Sequence, residues 1–411
     1  MFFLSKIIIL SLPFTNLFAI GTFATISFLG SQLYLFLYIL KNKKIIKNYI
    51  LSIFFLLILL GFTSIVVYLL YYGNIHSYFY KAFRAFVFIF LYIVSISLIF
   101  KKYGVNHVLK YLYYATWIVL VYGLLDFLLS NFIGIHFDNY LYRYNAEVNH
   151  GSVGNIIRLR STFSEPGYLA FYINTIFPIT LIYLKFIRKK INYLYFFLGI
   201  IVFILTVSSA GFAIFSINII LLSLLFKKYK ILLLATILFS GIFILSNTIL
   251  SNTILVKKIT KRITLNENVI SVNERLNKYI IANEEFENNF NNIGDYLFGK
   301  SPGYIISNHN SGLGNFFLNT FIEHGIIGIV IIIVLFYKVF TTILKSNAKW
   351  KLYCFYVLFS IILHLLIVQI FYNLFIYFGL LSIYYLSKIT KDHETLKENF
   401  TLINIVKSNI H

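Results

Sequence analysis

Apolar runs of roughly 16 to 25 residues recur along this chain from one end to the other. An α-helix rises 1.5 Å per residue, so about 20 apolar residues are needed to cross ~30 Å of hydrocarbon. The runs therefore predict an all-α, polytopic integral membrane protein with about 12 transmembrane helices. The predicted spans are 7–20, 22–40, 48–72, 82–100, 110–129, 166–186, 191–208, 210–226, 231–249, 316–338, 352–370 and 372–387.

The composition agrees with a membrane protein. Of the 411 residues, 59% are hydrophobic and 12% are charged, which leaves too few polar side chains to cover a water-soluble globule of this size. A single Cys excludes a disulfide framework and a Cys-based zinc site, and the nine His residues show no H-x-x-x-H spacing. We therefore expect neither a metal nor a cofactor.

The formal net charge of +21 bears first on membrane orientation, because cytoplasmic loops of membrane proteins carry an excess of Lys and Arg. With the N-terminus inside, 23 of the 35 basic residues fall at the cytoplasmic ends of the predicted spans, and Asp and Glu nearly balance the rest. The charge therefore predicts two cytoplasmic termini in a membrane-lipid environment and does not imply nucleic acid. Residues 1–20 lack a small-residue cleavage site, so we expect a retained first helix and not a signal peptide.

Two segments on the outer side are longer than ordinary connections within a single polytopic domain, 1–411. These are the first long loop, 130–165, and the large loop between the ninth and tenth spans, 250–315. Loops of such length are usually functional or disordered. The stretch ISVNERLNKYIIANEEFENNF predicts an amphipathic helix in the large loop, with apolar side chains on one face at Val272, Leu276, Tyr279, Ile280, Phe286 and Phe290.

The segment RLRSTFSEPGYLAFYINTIFP joins the first long loop to the sixth predicted span. Pro166 suits a first helical turn, and Glu165 suits the positive end of the helix dipole. One interpretation is a well-capped helix with two interfacial Arg residues. The functional alternative is that Arg158 and Arg160 form a fork for phosphate oxygens, with Glu165 as a neighbouring carboxylate.

Other polar residues on the outer side are further candidates. His309 and Asn310 lie in a loop rich in Gly, Ser and Asn, where a neutral imidazole could accept a hydroxyl proton near neutral pH, although an exposed loop His is the commoner outcome. Arg84 and Glu323 lie at the outer edges of predicted spans, and charges in such positions are expected to face the bundle interior.

Several of these motifs, taken in order, resemble those of bacterial O-antigen polymerases and the related O-antigen ligases. The segment from Arg160 resembles R-x-T-F-x-E-P-x-x-x-A, and LTVSSAGFAI resembles the turn L-T-x-S-R-x-G. NERLNKY resembles the R-x-x-x-W/Y opening of the amphipathic helix in the large outer loop, and LFGKSPG resembles L-x-G-x-G-x-G. GNFFLNTFIEHGIIG, which contains Asn315, resembles H-N-x-x-L-x-x-x-x-E-x-G-x-x-G. Gly314 stands where the ligases have His, and the Arg of the turn is absent, so the resemblance favours a polymerase.

The resemblance implies a metal-independent glycosyltransferase of the bacterial inner membrane that joins oligosaccharide repeat units carried on undecaprenyl diphosphate. It implies Arg275 as a ligand for the lipid diphosphate and leaves room for a partner protein that regulates chain length. For the base we favour Glu165 slightly, with His309 as an auxiliary substrate contact. The alternatives are the ligase itself and, in another class, a lipid-linked oligosaccharide flippase, which needs a polar path along its helices.

Overall fold

A computed structural model describes most of the chain. The described residues are 1–14, 25–41, 49–73, 78–135, 152–153, 156–227, 270–309, 312–346, 348–367 and 373–389. Their helices are α1 (Phe2–Leu10), α2 (Ile26–Lys41), α3 (Tyr49–Tyr72), α4 (Phe79–Leu128), α5 (Pro166–Ile182), α6 (Tyr193–Leu205), α7 (Ser209–Leu225), α8 (Ile270–Asn289), α9 (Ile293–Phe298), α10 (Tyr304–His309), α11 (Phe316–Lys345), α12 (Lys351–Ile367) and α13 (Leu374–Ser387).

The predicted all-α class is confirmed for the described part of the chain. Four helical stretches are long and apolar enough to cross a membrane, namely Phe55–Tyr72, Phe79–Ile133, Pro166–Ile187 and Phe316–Lys345. Helices α2, α6, α7, α12 and α13 are apolar but shorter, at 13 to 17 residues. The predicted span 231–249 lies outside the described residues, as does part of the first predicted hairpin.

Two of the long helices are broken by a glycine with positive φ. In α4, Gly104 (φ 77°, ψ 164°) separates the segments that contain the predicted spans 82–100 and 110–129. In α11, Gly325 (φ 64°, ψ −165°) interrupts the helix, and the Phe317 ring lies 6.4 Å from that of Phe336. A continuous helix would hold residues 19 positions apart more than 25 Å apart, at about 1.5 Å per residue. The predicted span 316–338 therefore falls within α11, but its first turns fold back at Gly325.

Helices α5 and α12 pack side by side in opposite directions. The Phe171 ring, near the start of α5, stacks on His364 near the end of α12 at 4.0 Å, whereas Phe186 packs on Trp350, just before α12, at 6.0 Å. Since α11 leads into α12 through the short connection after Lys345, the break at Gly325 lies at the same end of the bundle as the start of α5. We call this the α5-start end.

The two ends of the bundle differ in charge. At the end opposite to the α5-start end lie basic residues that follow α5 or flank the connection from α11 to α12, among them Lys185, Arg188, Lys190, Lys345 and Lys351. A surplus of Lys and Arg at one end is the pattern that sets orientation in membrane proteins.

The two segments predicted as long outer loops, 130–165 and 250–315, are partly helical where the structure describes them. Among the described residues of 130–165, the two-residue strand β1 (Ser152–Val153) pairs antiparallel with β2 (Ile156–Ile157), and Asn131 bonds to both backbone groups of Ile157. The predicted helix of the large loop is present as α8. Its predicted apolar face is divided, because Phe290 is buried beside the helix end while Tyr279 and Ile280 are about half exposed.

Candidate functional site

The segment that precedes α5 is buried inside the bundle instead of lying on its surface. Leu159, Arg160, Ser161, Thr162 and Phe163 are each at most 5% exposed. The Ser161 hydroxyl donates to the Val119 carbonyl at 2.7 Å and the Thr162 hydroxyl to that of Pro13 at 2.8 Å. These bonds satisfy the polar groups of a non-helical segment that would otherwise be costly to bury.

Arg158 joins two of the motifs that are separate in sequence. Its Nε donates to the Thr206 carbonyl at 3.0 Å and its NH2 group to the Val207 carbonyl at 2.9 Å. The Leu159 N–H donates to the Leu205 carbonyl at 3.1 Å. These carbonyls lie in the turn between α6 and α7, where Val207 has a positive φ of 46°. Arg158 thus stabilises the LTVSSAG turn. The N–H groups that it uses there are those that a fork for phosphate oxygens would need.

Arg160 is a buried cation, 5% exposed, behind the start of α5. Its NH1 group donates to the Ser164 carbonyl at 3.4 Å. Burial lowers the pKa of the guanidinium, and the nearby Asp126 carboxylate acts in the opposite direction. A guanidinium remains protonated in proteins, so Arg160 brings a desolvated positive charge to the α5-start end, with Asp126 as a counter-charge.

Glu165 is the N-cap residue of α5 and is exposed. Its side chain makes no capping hydrogen bond, and its backbone carbonyl accepts the first bonds of the helix from the N–H groups of Tyr168 and Leu169 at 3.2 and 3.4 Å. Pro166 occupies the first helical turn, as predicted. The Glu165 side chain therefore lies at the positive end of the α5 dipole, which favours its ionised form.

The LFGKSPG and EHGIIG segments pack backbone against backbone. A Cβ placed on Gly299 would lie 2.4 Å from the Glu323 carbonyl carbon and the His324 nitrogen, and a Cβ on Gly325 would lie 2.4 Å from the Leu297 carbonyl. The Lys300 N–H donates to the Ile322 carbonyl at 2.7 Å. Only glycine permits this approach at positive φ, so these motif glycines have a packing role.

A buried ion pair fixes the same segment to α3. The Lys300 ammonium, 2% exposed, lies 2.8 Å from Asp295 Oδ2. The Tyr72 hydroxyl donates to the same carboxylate oxygen at 2.9 Å and also contacts the Lys300 ammonium. Buried charges are tolerated when they are paired in this way. Neither Lys300 nor Asp295 was predicted from the sequence to be a site residue.

His309 forms a pair with a second buried carboxylate. Its Nε2 lies 2.5 Å from Glu285 Oε1, and Glu285 Oε2 accepts from Asn289 Nδ2 at 2.8 Å and from the Tyr304 hydroxyl at 3.2 Å. Burial raises the pKa of Tyr304 above its ordinary range, and the Glu285 charge acts in the same direction. The Glu285 side chain is 4% exposed and that of His309 is 26% exposed.

Asn315 caps α11. Its Oδ1 accepts from the Phe317 and Leu318 N–H groups at 2.9 and 3.1 Å, and its Nδ2 donates to the Tyr279 hydroxyl at 3.4 Å. At the preceding Gly314 (φ 70°), a Cβ would lie 3.2 Å from Lys278 Cδ. A cationic side chain of α8 thus lies over the position at which the ligase-like motif has His.

The remaining predicted site residues differ in their burial. Glu323 is buried, in agreement with an interior position, and its carboxylate lies within hydrogen-bonding reach of Asn319 and of the Gly303 N–H. Arg84 is exposed, so its predicted interior position was wrong: Ala82 and Ala85 occupy the buried side of that turn, and the guanidinium lies 6.0 Å from the Phe88 ring. Asn310 lies outside the described residues, as does the side chain of Arg275 in α8.

The structure therefore brings the motifs together in two groups at one end of the bundle. One group holds Arg158 and Leu159 against the turn between α6 and α7, with Arg160 and Glu165 following in the same segment. The other holds LFGKSPG against EHGIIG, with the His309–Glu285 pair nearby in α8 and α10.

Sequence reasoning missed Glu285, although a signal was present. Ala282, Phe286 and Phe290 form an apolar stripe at helical spacing, and Glu285 falls within that stripe. A carboxylate on the buried face of an amphipathic helix needs partners. The identity of those partners depends on residues that are distant in sequence.

No protein-family model matches the chain, and no curated protein matches its sequence.

Proposed function

We propose that this protein is an O-antigen polymerase. The observation that carries the proposal is that the polymerase-like motifs, which are spread over 171 residues from Arg158 to Gly328, gather at the end of the bundle opposite to the Lys345 connection. The same end carries the buried Arg160. It also carries the large loop, which contains the buried Glu285. Such a cluster of desolvated charge on one side suits an enzyme at the membrane surface better than a polar path through the helices.

The proposed topology has about twelve spans, two cytoplasmic termini and both long loops on the outer face of the bacterial inner membrane. The support is the charge asymmetry, because the described end near Lys185 and Lys351 is rich in Lys and Arg. The α5-start end would then face outward, where lipid-linked repeat units are joined.

The proposed reaction is a glycosyl transfer. A hydroxyl oxygen of one repeat unit attacks the anomeric carbon of the growing chain, the bond from that carbon to the diphosphate oxygen breaks, and undecaprenyl diphosphate leaves with the electron pair. Arg side chains suit the leaving group because they remain charged and donate in a planar fork. A carboxylate or an imidazole takes the hydroxyl proton. Since Arg neutralises the diphosphate, the proposed reaction uses no metal.

The geometry alters how the Arg roles are proposed. Arg158 donates to two carbonyls of the turn between α6 and α7, so we assign it to holding the site and assign the diphosphate to Arg160 and Arg275. Replacing either of the latter by Ala should lower the polymerisation rate by about 100-fold, since a charge-assisted contact to a developing anion contributes ~3 kcal/mol. Lys should restore part of the rate, because it keeps the charge without the fork. Normal rates in both Ala variants would contradict these assignments.

The function is tested by the lipopolysaccharide of a strain from which the gene is deleted. The proposal expects one repeat unit on the lipid A core and no longer chains. Loss of every repeat unit, with polymer accumulating on the lipid carrier, would indicate a ligase. Loss of every repeat unit, with single units retained on the cytoplasmic side, would indicate a flippase.

A further inference from the structure

A carboxylate and an imidazole form a pre-arranged pair in the large loop. Glu285 lies beside a small apolar cluster that contains Ala282, Phe290, Tyr304 and Ile305, where it contacts Tyr304, and it is only 3% exposed. Both of its oxygens are occupied, one by His309 Nε2 and the other by Asn289 and Tyr304. Because a buried carboxylate is costly without such partners, the loop is built to hold a charge at this point.

The contact with Glu285 also determines which ring nitrogen of His309 can accept a proton. With Glu285 Oε1 at 2.5 Å, Nε2 carries the hydrogen that is donated to the carboxylate. In the neutral ring the lone pair then resides on Nδ1, for which none of the described residues supplies a hydrogen bond. The His309 side chain remains 26% exposed, and Nδ1 is the ring nitrogen that does not face Glu285.

We propose that Glu285 is the positioning residue for His309 and that this pair, not Glu165, takes the proton of the attacking hydroxyl. The inference rests on the proposed polymerase function. In the step, the hydroxyl oxygen forms the bond to the anomeric carbon, its proton moves to His309 Nδ1, and the electron pair of the broken bond leaves on the diphosphate oxygen. Glu285 stabilises the imidazolium that results.

Glu165 is the weaker candidate because of its place in the fold. It is exposed at the N-terminus of α5, where the helix dipole favours the ionised form and makes the carboxylate a poorer proton acceptor. His309 instead contacts Glu285 through Nε2 and is partly exposed, so its other ring nitrogen is left as an acceptor.

The ionisable groups around the pair come from α10 itself and from two further elements. Tyr304 from α10 donates to Glu285, and Tyr68 from α3 interacts with it electrostatically. Glu323 from α11 lies beside the Gly303 N–H, just before α10. Tyr68 and Tyr304 are neutral near pH 7 and Glu323 is retained in every variant below, so the comparison isolates the charge of Glu285.

The test measures transfer by the purified full-length protein, with lipid-linked repeat units extracted from the deletion strain as substrate. Glu285→Gln keeps the shape and removes the charge, and Glu287→Gln is the matched control on the exposed side of α8, where Glu287 pairs only with Asn283 among the described residues. We expect His309→Ala to lose at least ~100-fold in kcat, Glu285→Gln about 10- to 100-fold, and Glu287→Gln less than about twofold. Glu165→Gln should keep most of its rate.

The pH profile separates positioning from mere structural support. Without the carboxylate the imidazolium is less stable, so the remaining activity of Glu285→Gln should extend to lower pH than that of the wild type. A wild-type rate and profile in Glu285→Gln would overturn the inference, and so would a large loss in Glu165→Gln with normal activity in His309→Ala.

Failure of the polymerase function is distinguishable from failure of the pair. If the wild type joins no repeat units, the proposed function and the proton transfer both fall. The pair itself is then tested without substrate by ¹⁵N spectra of the His309 ring, assigned by its loss in His309→Gln. Ring signals that change at a lower pH in Glu285→Gln than in the wild type support the ion pair, and an identical pH dependence overturns it.

Discussion

Replacing Gly299 by Ala should destabilise the protein through a backbone collision that no side-chain movement relieves. The new Cβ would lie 2.4 Å from two backbone atoms of the Glu323–His324 peptide. The backbone of Gly299 (φ 74°, ψ −174°) lies in a region that is essentially restricted to glycine, and this conformation costs about 1–3 kcal/mol for a residue with a Cβ. Forcing two backbone segments apart adds about 1–3 kcal/mol. We therefore expect a total loss of about 2–6 kcal/mol.

Gly104→Ala is the matched control, because Gly104 has a similar backbone conformation (φ 77°, ψ 164°) and no atom within 4 Å of a Cβ. It should lose only the conformational part, about 1–3 kcal/mol. The assay is thermal unfolding of each purified variant in the same detergent, with folding into the membrane fraction checked first. The apparent unfolding temperature should fall about twice as far for Gly299→Ala as for Gly104→Ala. Equal falls would refute the claim that the contact between the LFGKSPG and EHGIIG segments requires glycine.

Three further results are expected. Lys300→Met should destabilise the protein by about 3–5 kcal/mol because it leaves Asp295 charged and buried. Adding Asp295→Asn should recover part of the loss, and a double variant less stable than the single one would contradict this. Asn315→Ala removes the cap of α11 and should lower the unfolding temperature by the equivalent of about 1 kcal/mol, and an unchanged temperature would count against the cap. A Cys at exposed position 291, after Cys354→Ala, should react with a membrane-impermeant thiol reagent in intact spheroplasts, and failure to react would invert the proposed topology.

The sequence predicts helix positions well where the signal is apolar length. The predicted span 48–72 is α3 at Tyr49–Tyr72, and 372–387 is α13 at Leu374–Ser387. Pro166 marks the start of α5 because its missing N–H needs no partner in a first turn. These features depend only on residues that are close in sequence, so they can be recognised from one sequence.

Contacts between distant residues could not be predicted in the same way. In the sequence, Gly325 of EHGIIG cannot be distinguished from a glycine within a spanning helix. The break there accompanies the close approach of Gly299, which lies far from it in sequence. The partnership of Glu285 with His309 likewise needs α8 and α10 to pack together. Arg84 was misassigned because a charge at the edge of a span can turn to either side, and packing of Ala82 and Ala85 decides which.

The central claim is tested most directly by incubating the purified protein with lipid-linked repeat units extracted from the deletion strain. The account predicts a ladder of oligomers on the lipid carrier, with one undecaprenyl diphosphate released for each bond formed and with no metal added. A reaction in which the repeat units remain single, under conditions where the protein is folded and the substrate is intact, would contradict it.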